Sequence, residues 1–126
     1  MSEQTGFSKF GKTFQEGLSQ LILVDRPFSE QIHEILDINY FELKYLQVFV
    51  KKIFQYKEKY KVHPTQATLT TILRTEIEDE NAATKKQVRD FFARIYGASP
   101  DGADYIKDTA IDFCKKQNLK AAMIQC

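Results

Sequence analysis

Residues Tyr40–Tyr60 read YFELKYLQVFVKKIFQYKEKY. Leu46, Phe49, Val50, Ile53 and Phe54 recur at the spacing that lines up one side of an α-helix. Phe41 and Tyr45 extend the same face toward the start of the stretch. The pattern predicts a long helix from about Asn39 to about Tyr60. Its apolar arc is wide, which suits the centre of a helical bundle. Sustained apolar–polar alternation, the signature of a half-buried strand, is absent from the chain. The expected fold class is therefore all-α, a compact bundle of about six helices.

On the N-terminal side, Phe14, Leu18, Leu21 and Ile22 share one helical face, and Asp25-Arg26-Pro27 should stop that helix. A short helix, EQIHEIL, follows with Ser29 as its expected cap and Ile32, Ile35 and Leu36 inward. On the C-terminal side the stretch YKVHPTQATL, Tyr60–Leu69, should form a helix–helix corner. Pro64 fixes φ near −65° and pushes His63 out of helical geometry, so a new helix should start within a few residues. Thr65 or His63 is the expected cap, Val62 an anchor for the turn, and His63 a position open to solvent.

The helix after Pro64 carries Leu69, Ile72, Leu73 and Ile77 inward and runs into the acidic Glu78-Asp79-Glu80. TKKQVRDFFARIYG carries Val88, Phe91, Phe92 and Ile95, with Gly97 as its stop. The last helix follows Asp101-Gly102 and carries Tyr105, Ile106, Ala110, Phe113, Cys114, Leu119, Ala122, Met123 and Ile124. Its apolar pattern still runs at Ile124 with no stop signal. The expectation is a piece of a longer protein, or a helix in need of a partner. The domain plan is a flexible lead-in over 1–13, a globular helical domain over 14–103, and a final helix over 104–126.

The 126 residues suit one domain, and 18 basic against 17 acidic side chains leave a net charge of +1. Such a balance gives no global field to draw in nucleic acid or an acidic membrane. The longest aliphatic run, Leu21-Ile22-Leu23-Val24, falls far short of the ~20 residues a membrane span needs. The start, MSEQTGFSKF, has no apolar secretory core, so the expected location is the cytoplasm. Cys114 and Cys126 would lie about 18 Å apart on one straight helix, too far to pair. Cys114 reads as a small buried apolar residue.

No motif for chemistry is convincing, so no catalytic, cofactor-binding or metal-ligating residues are expected. GFSKFGKT, Gly6–Thr13, matches the letters of a phosphate-binding loop, but only five polar residues precede it and leave no room for the strand such a loop follows. His33 and His63 have no nucleophile, paired histidine or glycine loop beside them. Two basic clusters stand out: Lys51, Lys52, Lys57, Lys59 and Lys61, and Lys85, Lys86, Arg89 and Arg94. Aromatics are interleaved in both, as single-stranded nucleic-acid binding would require. The plainer reading puts the aromatics in the core and the lysines in water. Lys51, Lys52, Lys85, Lys86 and Arg89 are the candidates for a weak contact.

The order of these blocks resembles the start of DnaB-type replicative DNA helicases, with a flavour closest to those of tailed phages. Glu16, Leu18, Leu21, Leu23 and Asp25 match the opening block, Tyr40, Phe41 and Phe49 the second, and Val62, Pro64 and Leu69 the third. Asp104, Tyr105, Ile106 and Gln117 match the segment in which the last globular helix runs into a helical hairpin. The resemblance covers the chain from about Phe14. It implies an all-helical N-terminal domain that forms a collar on a hexameric ring and contacts primase and helicase loader. ATPase and helicase activity would belong to a C-terminal part, and this chain would stop inside the first hairpin helix. Phe113, Leu119, Met123 and Ile124 are then the expected subunit contacts. Self-association as a dimer or within the ring, weak or no DNA binding by this piece, and no membrane contact complete the expectation. A small helical nucleic-acid-binding regulator, with TKKQVRDFFARIYG as its recognition helix, is the alternative.

Overall fold

The structure of the chain, a computed structural model, describes residues 6–125, with side chains described as far as residue 119. Six α-helices follow one another: α1 Gly11–Val24, α2 Arg26–His33, α3 Lys44–Tyr60, α4 Gln66–Thr75, α5 Ala82–Ile95 and α6 Ala103–Gln125. Short 3-10 turns cover Phe7–Phe10 and Ile38–Tyr40. The described residues contain no strand. The all-α expectation therefore holds, and α3 takes the place that its wide apolar arc demands. Leu46, Phe49, Val50 and Ile53 are fully buried on it. α1 packs against α2, α3 and α6, while α3 also packs against α4 and α5.

Several boundaries differ from the sequence reading, each for a local reason. α2 begins at Arg26, because Asp25 accepts the Phe28 N–H at 3.1 Å and Pro27 sits in the first turn, where its missing N–H costs nothing. Ser29 is thus buried within the helix and does not cap it. α3 begins at Lys44, since Ile38–Tyr40 closes into a 3-10 turn capped by Asp37. Phe41 reaches the core from outside the helix. The Pro64 corner forms as expected, with Thr65 capping α4 through the Thr68 N–H at 3.0 Å. α3 ends on Lys61 in the left-handed region, φ 62°, and Gly97 follows α5 at φ 75°.

The flexible lead-in expected over 1–13 is corrected for Gly6–Thr13, while residues 1–5 lie outside the described residues. Phe7 is fully buried, its ring packed on Phe41 and Phe113 with centroids 5.2 and 5.1 Å away. Gly6 lies so close to the Tyr40 carbonyl that a Cβ would come within 2.4 Å of its oxygen. The folded body therefore includes Gly6–Thr13. At the other end Ile106, Ala110, Phe113 and Cys114 of α6 enter the same core, so the first half of that helix is part of the body too.

Candidate functional site

His63 lies at the corner between α3 and α4, and its surroundings answer what it is for. Its Nε2 is 2.6 Å from the carbonyl oxygen of Leu23. A carbonyl only accepts, so Nε2 carries the proton and Nδ1 holds the lone pair. Leu23 lies in the last turn of α1, whose final carbonyls have no partner inside the helix. The imidazole thus ties the α3–α4 corner to the end of α1. His63 is half-buried where the sequence predicted solvent, and the anchoring expected of Val62 falls to it, for Val62 is half exposed.

On the other side of the ring stands Lys57, which is buried. Its Nζ is 3.5 Å from His63 Nδ1 and donates to Ser29 Oγ at 3.3 Å. No carboxylate among the described residues is within ion-pair distance of it. Burial pulls the ammonium pKa below its ordinary range, partly opposed by the Glu30 charge. Burial likewise lowers His63, and the Lys57 and Arg26 charges add to it, against the Leu23 hydrogen bond. The sequence places Lys57 in a cluster expected to face solvent. Its place four residues after Ile53 and three after Phe54 continues the buried face of α3, and that spacing was the signal for its burial.

His33 is held separately. Its ring stacks on Phe54 with centroids 4.3 Å apart, and Nε2 meets Glu58 Oε2 at 3.1 Å. A third polar cluster links α1, α3 and α5. Tyr45 donates to Glu16 at 2.5 Å, and Arg94 reaches both Glu16 oxygens at 3.3 and 3.0 Å. Burial would raise the Glu16 carboxyl, but the Arg94 and Tyr45 hydrogen bonds overcome it and bring it below the usual carboxylate range. Asp25 is lowered in the same sense: burial is opposed by the Lys107 ammonium at 2.9 Å and the Phe28 N–H. Cys114 is buried, and burial pushes its thiol up to about 12, which keeps it in the thiol form.

The nucleic-acid candidates separate into two groups. On α5, Lys85 pairs with Glu78 at 3.2 Å and Lys86 with Asp90 at 2.8 Å. Arg89 donates to the carbonyls of Leu73 and Arg74, closing the end of α4. The basic face of that helix is committed to its neighbours. On α3, Lys51 is exposed and Lys52 half-buried, and neither has a carboxylate within ion-pair distance among the described residues.

Of the expected subunit contacts, Phe113 is corrected. Its ring lies in the body of its own chain against Phe7, Phe10 and Tyr40, so it has no surface to offer a neighbour. Tyr105, in the apolar pattern of the last helix, is exposed. Leu119 is 63% exposed. The side chains of Met123 and Ile124 lie outside the described residues.

The letters GFSKFGKT fold into the Phe7–Phe10 turn and the opening of α1, with Gly6 held against Tyr40. Among the described residues no three His, Cys, Asp or Glu side chains are grouped to hold a metal ion, and no helix is long and apolar enough to cross a membrane. Comparison of the chain with protein-family profiles, with curated proteins and with solved structures returns no match.

Proposed function

We propose that the chain is the N-terminal assembly and partner-docking domain of a hexameric, DnaB-type replicative DNA helicase, of the kind tailed phages carry. It holds subunits together and receives a primase and a helicase loader in the host cytoplasm. ATP hydrolysis and strand separation belong to a separate C-terminal domain. The order of the apolar blocks supports this reading, and Leu18, Leu21, Phe41, Phe49, Leu69 and Ile106 from those blocks are buried in the bundle.

The observation that carries the reading is helix α6. Its last buried described residue is Cys114, yet the helix continues to Gln125, about 16 Å further at 1.5 Å per residue. Leu119 stands on this extension with most of its side chain in water. An exposed apolar position beyond the last buried described residue of a helix suits pairing with a helix from another subunit. Mass photometry of the natural gene product tests this. The unaltered protein is expected to assemble as a hexamer, and Leu119→Asp with Met123→Asp is expected to reduce it to smaller species. Unchanged assembly in that variant would remove the reading's support.

A further inference from the structure

Helix α3 carries a basic and aromatic face beside α4, with Lys59 and Tyr60 exposed and Lys52 and Tyr56 half-buried. Lys52, Tyr56 and Tyr60 form one row at four-residue spacing, beside a second row with Lys51, Gln55 and Lys59. Between this face and α4 lies a groove of about 560 Å³. Tyr56 and Tyr60 line it, their ring centroids 4.7 Å apart, and Lys59 Nζ stands 5.2 Å from the Tyr60 ring centre. Tyr60 is 53% exposed, so its ring is open to a further stacking partner. Lys51, Lys52 and Lys59 have no carboxylate within ion-pair distance among the described residues, in contrast to the paired lysines of α5. Acidic groups do stand nearby. Glu76 lines the α4 side of the groove, Glu80 and Lys51 both line a second depression, and Glu58 is turned away onto His33.

We propose that the α3–α4 groove binds single-stranded nucleic acid, with bases stacking on Tyr56 and Tyr60 and phosphates held by Lys52 and Lys59. Charge complementarity calls for a polyanion, and the two tyrosines decide which kind. An acidic protein segment would use the lysines alone. Flat bases, spaced along a phosphate backbone, use both features, and they do so without sequence preference because every base has a π-face. The net charge of +1 limits long-range attraction, so the contact is local and falls steeply with salt. The inference goes beyond the helicase reading and does not depend on it. That reading is tested by assembly, so the two fail separately.

Fluorescence anisotropy with a fluorescein-labelled oligothymidine tests the site, using the 126-residue protein at about 50 and about 200 mM salt. Binding at the lower salt, weakened at the higher, is expected. Tyr56→Ala with Tyr60→Ala should weaken it roughly tenfold or more, as the loss of one or two stacked bases requires. Lys52→Glu with Lys59→Glu should weaken it by about as much and flatten the salt dependence. Lys86→Glu on α5 should leave it unchanged. Circular dichroism checks that each variant is folded. Absence of binding at low salt would overturn the proposal. So would tyrosine variants that bind like the parent. Displacement of the probe by oligoglutamate, equally from parent and tyrosine variants, would assign the groove to an acidic protein segment.

Discussion

His63 Nε2 donates a hydrogen bond of 2.6 Å to the carbonyl oxygen of Leu23, 40 residues earlier in the chain. This contact explains why a histidine precedes Pro64. The proline keeps His63 out of helical geometry, and the freed side chain reaches the otherwise unpartnered end of α1. Replacing His63 with Ala leaves the Leu23 carbonyl without its donor and Lys57 without one of its two acceptors. The expected loss is about 1–3 kcal/mol, the cost of an unsatisfied polar group in a buried setting. Urea unfolding followed by circular dichroism at neutral pH measures it.

The same ring sets a pH dependence. Its pKa in the fold lies below the ordinary value of 6.5, so the unfolded chain takes up the proton first as pH falls. The His63 contribution is complete above about pH 6.5 and declines between that value and the folded pKa. Glu16 and Asp25 are also lowered, so their contributions persist until the pH falls below about 4 and are then lost. Unfolding free energy should thus fall in two stages on acidification. His63→Gln should abolish the first stage and keep the second.

Lys57 is a buried cation without a carboxylate partner, so it opposes the fold at neutral pH. Lys57→Met keeps the shape of the stem and removes the charge. This variant is expected to match or exceed the parent in stability, by up to about 1 kcal/mol. The proton NMR titration of His63 should also move to higher pH, because the cation facing Nδ1 has gone. A loss of more than about 1 kcal/mol would show that the Lys57 hydrogen bonds outweigh its desolvation.

Phe7 anchors a segment that composition alone marks as loose. Phe7→Ala should cost about 3–5 kcal/mol, the usual loss for a fully buried phenylalanine. Gly6→Ala should also destabilise, since its Cβ would meet the Tyr40 backbone, which has little room to move. Thermal melts of both variants check this. A Phe7→Ala protein as stable as the parent would mean that the turn packs too weakly to matter.

The helices were legible in the sequence because their signal is local. The spacing from Leu46 to Phe54 identified α3, and Pro64 with Thr65 identified the start of α4. Asp25-Arg26-Pro27 ends α1 at Val24 as expected, but it also opens α2, ahead of the Ser29 cap that the sequence suggests. Proline in a first turn signals a beginning, as it does just before α4. The burial of Phe7 was not legible, for although Phe10 and Phe14 lie near it in sequence, the partners that carry it into the core, Phe41 and Phe113, are about 34 and 106 positions away. Phe113 was misassigned to the surface for the same reason, because a helical stripe does not say whether its own chain or another covers it. The two basic clusters look alike in composition. Only the positions of Glu78, Asp90 and the α4 carbonyls separate the committed cations of α5 from the open ones of α3.

The proposed role as assembly domain of a ring helicase has a direct check. Native mass spectrometry of the protein purified from its natural gene tests it most directly, since one spectrum gives both subunit mass and copy number. The proposed role requires a subunit well above 14.7 kDa, present in six copies. A single species of one 14.7-kDa chain would contradict it.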